Sequence, residues 1–200
     1  MQRMAQGNTV PALIRAAVER YGPAEAVVEG RARISYAELG ARIERAAAAC
    51  VASGLEPGDR AAIWAPNTTD WIVAALGAVT AGGVLVPVNT RFKGAEAAYV
   101  LRRTRASHLF ITGTFLGTSY VASLRRAAGE GAGHGPLPRL PYLREVVVLA
   151  DNGPEDFRTW KEFLALGDAV SPRPRWTPSP RTPWRRPTRS RSPRPSAPGR

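Results

Sequence analysis

Few groups in this chain could do chemistry, and their spacing suits it poorly. Cys50 is the only cysteine, and Lys93 and Lys161 are the only lysines. Cys50 shares an apolar helical face with Leu39, Ile43 and Ala46, so it reads as a small core residue and not a nucleophile. His108 opens the run His108-Leu109-Phe110-Ile111 with no second ligand at metal spacing; a core or strand-edge histidine is expected, and no metal site. The hydroxyls and Cys50 lack a recognisable histidine-base motif. Three stretches could touch phosphate. Thr112-Gly113-Thr114-Phe115-Leu116-Gly117-Thr118 lies between a strand and a helix, where backbone N–H groups can cradle an anion. It lacks the lysine and dense glycines of a phosphate loop, so a plain connection is the expectation. Gly129 to Gly135 follows a helix and no strand, which makes it a flexible loop and no dinucleotide fingerprint. Arg102, Arg103 and Arg105 point outward from a helix; a solvated face is expected, with a phosphate-binding face as the alternative. Asp59 reads as turn chemistry, and Trp64 and Trp71 as core. The chain is thus expected to carry no catalytic, cofactor-binding or metal-ligating residue.

The elements that would position such groups follow from periodicity. Val10, Leu13, Ile14, Ala17, Val18 and Tyr21 recur at helical spacing up to Gly22-Pro23. Ala26 to Glu29 and Ala32 to Ile34 read as two short strands forming a hairpin around Gly30-Arg31. Ser35 with Glu38 fits a capping box that opens a helix ending at Gly54. Arg60 to Trp64 is a short strand; Asn67 or Thr68 caps a helix with Trp71, Ala74, Ala75, Ala78 and Val79 on one face. Gly82-Gly83 ends that helix, and Val84 to Val88 is a continuous apolar run of the kind buried in a parallel sheet. This βαβ unit implies a right-handed crossover. Further on come a helix over Gly94 to Ala106, the His108 strand, a helix with Leu116, Tyr120 and Leu124 on one side, a strand over Leu143 to Leu149 and a helix over Phe157 to Leu166. Five to seven strands alternating with helices predict an open α/β sheet.

Four of these pieces together resemble a known family. Ser35-Tyr36-Ala37-Glu38-Leu39, Pro57-Gly58-Asp59-Arg60, Ala65-Pro66-Asn67, and Leu76-Gly77-Ala78 through Leu85-Val86-Pro87-Val88-Asn89-Thr90-Arg91 stand in the order and spacing of the AMP-forming acyl-CoA synthetases, in the adenylate-forming ligase superfamily. The resemblance covers residues 8 to 168. It implies the N-terminal subdomain of that ligase fold, a mostly parallel sheet with flanking helices. Detail around Leu85 to Arg91 and Phe115 to Thr118 is similar to the fatty-acid and steroid-side-chain group. Intact members use ATP, Mg²⁺ and coenzyme A to turn a carboxylic acid into an acyl-CoA through an acyl-adenylate. The family's phosphate loop, Thr-Glu motif, ribose-holding acid and C-terminal catalytic lysine have no counterpart here, and neither Lys93 nor Lys161 sits in the lysine's motif. The expectation is an inactive N-terminal fragment whose apolar surface the missing subdomain would cover.

Charge sets the remainder apart. The 200 residues carry 28 Lys and Arg against 16 Asp and Glu, a net +12. Residues 171–200 hold nine Arg, nine Pro and no acid, leaving the rest nearly balanced with 19 basic and 16 acidic groups. That tail has no apolar period and is expected to be disordered. Its arginines, with Trp176 and Trp184, suit non-specific polyanion binding, and a non-catalytic α/β scaffold with a nucleic-acid-binding arm is the alternative function. Its composition matches an out-of-frame reading of a GC-rich gene better. A single cysteine allows no intrachain disulfide and fits a cytoplasmic setting. No signal peptide is expected. The uncharged stretch Trp71 to Thr90 divides into helix and strand, so no membrane span is expected.

Overall fold

In the computed structural model, residues 9–129, 137–151, 153 and 157–169 are described. Helix α1 (Val10–Tyr21) starts where the Thr9 hydroxyl accepts the Ala12 N–H and Pro11 occupies the first turn. Strands β1 (Glu25–Glu29) and β2 (Ala32–Ser35) form an antiparallel hairpin. Helix α2 (Tyr36–Ala52) is capped by the Ser35 hydroxyl, which accepts the Glu38 N–H at 3.2 Å. Strand β3 (Arg60–Trp64), helix α3 (Thr69–Thr80) and strand β4 (Val84–Pro87) complete the expected βαβ unit, with Thr68 as the cap of α3. Then come α4 (Gly94–Thr104), β5 (His108–Ile111), a small hairpin of β6 (Thr114–Phe115) and β7 (Thr118–Ser119), α5 (Tyr120–Ala128), β8 (Glu145–Val148), β9 (Arg158–Thr159) and α6 (Trp160–Asp168).

The main sheet has the order β4-β3-β5-β8-β9, and every neighbouring pair is parallel. The chain steps from β3 outward to β4, then crosses back over β3 to β5. Side-chain alternation feeds two cores. Ala61, Ile63, Phe110 and Val147 pack with α2, α3 and α6 on one face. Ala62, Trp64, Leu109, Ile111 and Val148 pack with α4 and α5 on the other. The expected mostly parallel sheet with flanking helices is what forms.

Several expectations are corrected. The run Val84 to Val88 is not fully buried: β4 is an edge strand, Val84 is 49% exposed, and Pro87 is tolerated because an edge position can spare one ladder donor. The apolar stripe of α1 is only partly used, with Leu13 60% exposed and Pro11 its one fully buried residue. On α3 the buried face centres on Val73, Ala74, Gly77 and Ala78, so Trp71 and Val79 are half-buried at its margins. Only half of the Ser35 capping box forms, because the Glu38 carboxylate pairs with Arg42 at 2.6 Å. A complete box forms at Thr159 and Glu162, where Phe157 lies outside the expected helix and Arg158 and Thr159 leave it to make β9. Helix α4 ends at Thr104, with Arg105 in the left-handed region at φ 52 and its C-terminal carbonyls taken by Arg60. Leu116 is not on the face of α5 but at the tip of the β6–β7 hairpin. The Arg- and Pro-rich tail, and all of the Gly129 to Gly135 loop after Gly129, lie outside the described residues.

Candidate functional site

A parallel sheet whose chain reverses direction between two strands opens a crevice outside their carboxyl ends. Here those ends lead into Ala65 to Thr68 after β3 and Thr112-Gly113 after β5. Beside them, between the ends of β5 and β8 and helix α5, lies an open cleft of about 1080 Å³. Its polar wall is Thr112, Thr114 and Ser119, its apolar wall Val121, Ala122 and Leu149, and Arg126 stands at the rim. The stretch from Thr112 to Thr118 is therefore a hairpin walling this cleft and not a glycine cradle. The Gly113 carbonyl accepts the Tyr120 N–H at 3.0 Å, and the Ser119 hydroxyl is spent capping α5 through the Ala122 N–H at 3.2 Å. No histidine, cysteine or carboxylate is among the described residues lining the cleft. It offers hydroxyls and the guanidiniums of Arg125 and Arg126, a lining of hydrogen-bond donors without an acid–base group among its described residues.

The segment after β4 is held more firmly than its sequence suggests. The Trp64 indole donates to the Asn89 carbonyl at 3.1 Å, and the Tyr120 hydroxyl donates to the Thr90 carbonyl at 2.5 Å. The two rings pack at 4.5 Å between centroids. Asn89 turns the chain by accepting the Arg91 N–H at 2.8 Å. Trp64 is thus core, as expected, and also positions a loop. Tyr120 comes from a helix 30 residues later, and no local pattern pairs it with Thr90.

His108 is a fully buried core histidine. Its Nε2 lies 3.1 Å from the Ser53 hydroxyl and its Nδ1 3.0 Å from the Ser107 hydroxyl. Ser53 already donates to the Cys50 carbonyl at 2.9 Å, so it accepts from Nε2–H, leaving Nδ1 to accept from Ser107. Burial, with the Arg144 guanidinium adding to it, pushes His108 down from 6.5 to about 4. The unfolded chain therefore binds this proton first as pH falls. Stability is expected to be full above about pH 6.5 and to drop by about 3 kcal/mol toward pH 4. Urea midpoints at pH 7 and 4.5 measure it. A His108→Gln variant should be less stable at pH 7 but flatter across that window; an equal slope in both proteins would rule the assignment out.

The other candidates are dispersed. Cys50 is buried, and burial pushes its thiol up to about 12, which makes it inert. Burial would raise Asp59, but the Glu56 N–H and the Arg144 guanidinium outweigh it and hold the carboxyl below the usual range. Asp59 is turn chemistry with an ion pair. Arg102, Arg103 and Arg105 are exposed at the C-terminus of α4, where cations suit the helix dipole. Arg105 also stacks over Tyr142 at 5.4 Å. Lys93 is exposed just before α4 and Lys161 is exposed on α6. At the start of α3, hydrogen bonds from Thr69 lower Glu29, while burial raises Asp70 against the Trp160 indole N–H at 3.0 Å. Among the described residues no group of three or more His, Cys, Asp or Glu could hold a metal ion, and no helix is long and apolar enough to cross a membrane.

Comparison with known proteins places these features in context. A family model described as AMP-binding enzyme matches residues 14–183. A methyl-dioxo-octahydroindenyl-propanoyl:CoA ligase of Mycobacterium tuberculosis is 41% identical over 170 residues, covering 83% of this chain and 31% of the relative. The ligase of the same name from Rhodococcus jostii is 42% identical over 179 residues, covering 84% of this chain and 34% of the relative. This chain therefore spans about a third of the length of the curated relatives it matches. Among solved structures, the inhibitor-bound N-terminal domain of FACL13 from Mycobacterium tuberculosis superposes with a TM-score of 0.62 at 20% identity, over 82% of this chain and 36% of that one.

Proposed function

Because this chain belongs to the AMP-binding enzyme family, we propose that it is the N-terminal part of an ATP-dependent acyl-CoA ligase. The intact enzyme joins a carboxylic acid to coenzyme A through an acyl-adenylate, releasing AMP and pyrophosphate. The observation that carries this reading is 41–42% identity to two propanoyl:CoA ligases over more than four-fifths of the chain. By the same likeness, the acid is a propanoate carried on a bicyclic methyl-dioxo-octahydroindene ring system. ATP, Mg²⁺ and coenzyme A are the cofactors of the intact enzyme.

The role of these residues is then to build and orient. The two-sided core makes a rigid sheet, and Trp64 and Tyr120 fix the loop at Asn89 and Thr90 outside its carboxyl ends. Adenylation needs donors around the β- and γ-phosphates, a carboxylate for Mg²⁺ and a cation for the developing charge. The motifs that bring these in the family have no counterpart in this sequence, and neither Lys93 nor Lys161 sits in the motif of the catalytic lysine. Losing one donor of this kind costs about 10²–10³ in rate, and losing the set leaves no route, even allowing for non-additivity. ATP–pyrophosphate exchange with a panel of carboxylic acids is therefore expected to match a heat-treated control for this chain alone. Exchange above that control would overturn the inactive-alone part of the reading.

A further inference from the structure

The two helical layers of the sheet carry their charge differently. On the side of α2, α3 and α6, Arg42 pairs with Glu38 and Arg45 with Asp168. On the other side, α5 contains no acid and α4 only Glu96, whose carboxylate accepts the Lys93 N–H at 2.8 Å. Arg102 and Arg103 are exposed on α4, and neither side chain forms an ion pair or hydrogen bond with another described residue. The helix end does not occupy them either. Its Thr104 carbonyl accepts from Arg60 Nε at 2.7 Å, and the Arg105 carbonyl from Arg60 Nη2 at 2.9 Å.

Aromatic rings stand among these cations. Tyr99, one turn before Arg102 and Arg103, is 60% exposed. Tyr142 is 49% exposed and has the Arg105 guanidinium over its ring at 5.4 Å. Arg102 and Tyr142 flank one shallow hollow, with Leu101, Ala106, Leu140 and Leu143 around it. We propose that this face of α4 binds single-stranded nucleic acid, with Arg102 and Arg103 on phosphates and Tyr99 and Tyr142 stacked on bases. Unpaired guanidiniums supply the attraction to phosphate. An exposed ring offers a face that any unpaired base can cover, and Arg105 adds a cation to the stack at Tyr142. An anionic membrane would require aliphatic, Phe or Trp side chains to enter it. The large apolar residues exposed on α4 and residues 140–143 are tyrosines only, and the exposed aliphatic ones belong to other elements. This binding is independent of the ligase reading.

The test uses the full chain and a fluorescein-labelled oligo(U) of about twelve nucleotides, followed by fluorescence anisotropy over a salt series. Replacing Arg102→Gln together with Arg103→Gln should make the salt dependence shallower by about 1.4, at about 0.7 per phosphate. Arg15→Gln with Arg31→Gln removes the same charge from exposed positions on α1 and the β1–β2 turn and should leave the slope unchanged. Tyr99→Ala should weaken binding about fivefold or more, and Tyr99→Phe, which keeps the ring, should restore it. All these positions are exposed, so melting temperatures should match the wild type. The arginines of residues 171–200 also attract polyanions, so the location of binding is read separately. An oligo(U) carrying 4-thiouridine, cross-linked by light, should be recovered on the tryptic peptide of residues 94–102. Cross-links confined to residues 171–200, equal slopes for the two double variants, or unchanged affinity for Tyr99→Ala would each overturn the proposal. Binding to phosphatidylserine vesicles that the Tyr99 and arginine variants weaken as much as binding to oligo(U) would assign the face to a membrane and overturn it too.

Discussion

Replacing Gly94 by alanine is expected to cost about 3 kcal/mol or more. Gly94 is buried at the first turn of α4, where that helix crosses α5. A Cβ built there would stand 2.1 Å from the Ser123 carbonyl oxygen and 2.8 Å from its carbon. Both atoms are helix backbone, so no rotamer change clears them. The helices must separate, opening the core that Ala97, Ala98, Leu101 and Leu124 share. The melting temperature should fall by roughly 6–12 °C. Gly113→Ala is the control: its Cβ would meet only Val148 Cγ1 at an ordinary 3.7 Å, and the change should stay within about 0.5 kcal/mol. Equal melting of the two variants would show that α4 and α5 do not approach as closely as described.

Phe110→Ala is the second large effect. Phe110 is fully buried on β5, the central strand of the sheet. It packs edge-on against Phe163 at 5.3 Å and Trp160 at 6.1 Å, and these two rings stack on each other at 5.7 Å. Truncation removes a large apolar surface and leaves a cavity under α6, for about 3–5 kcal/mol. Phe110→Leu keeps most of the volume and should lose less than about 1.5 kcal/mol. Denaturant midpoints measure both. If alanine and leucine variants unfold together, the aromatic cluster does not hold α6 to the sheet.

Local chemistry made much of this fold legible. Strand β3 is a short apolar run between a turn cluster and a proline, and it forms at Arg60–Trp64, the span expected. A cap at Asn67 or Thr68, which the structure resolves to Thr68, and the burial of Cys50 are readable for the same reason: each depends on neighbours within one or two helical turns. The Thr159–Glu162 box was equally visible as a threonine followed three residues later by a glutamate. It was masked by the apolar residues before it, which suggested a longer helix. The site was less legible. Ser53, Ser107 and Arg144 meet around His108 from positions up to 91 residues apart, and nothing in any one segment announces that meeting.

The order of strands belongs to the same class. Apolar content could say that Val84 to Val88 is a strand, but not that it would be outermost and half exposed. That depends on the chain crossing back over β3, a choice made by packing energy across the whole sheet. The sequence alone determined the family and the alternation of strands and helices, because these are carried by residue types at short, fixed spacings. Only the tertiary structure decided that β4 is an edge strand, which residues enclose His108, and that Leu116 stands exposed at the tip of the β6–β7 hairpin. Those outcomes depend on contacts between segments far apart in the chain, where burial and hydrogen-bond satisfaction are settled jointly.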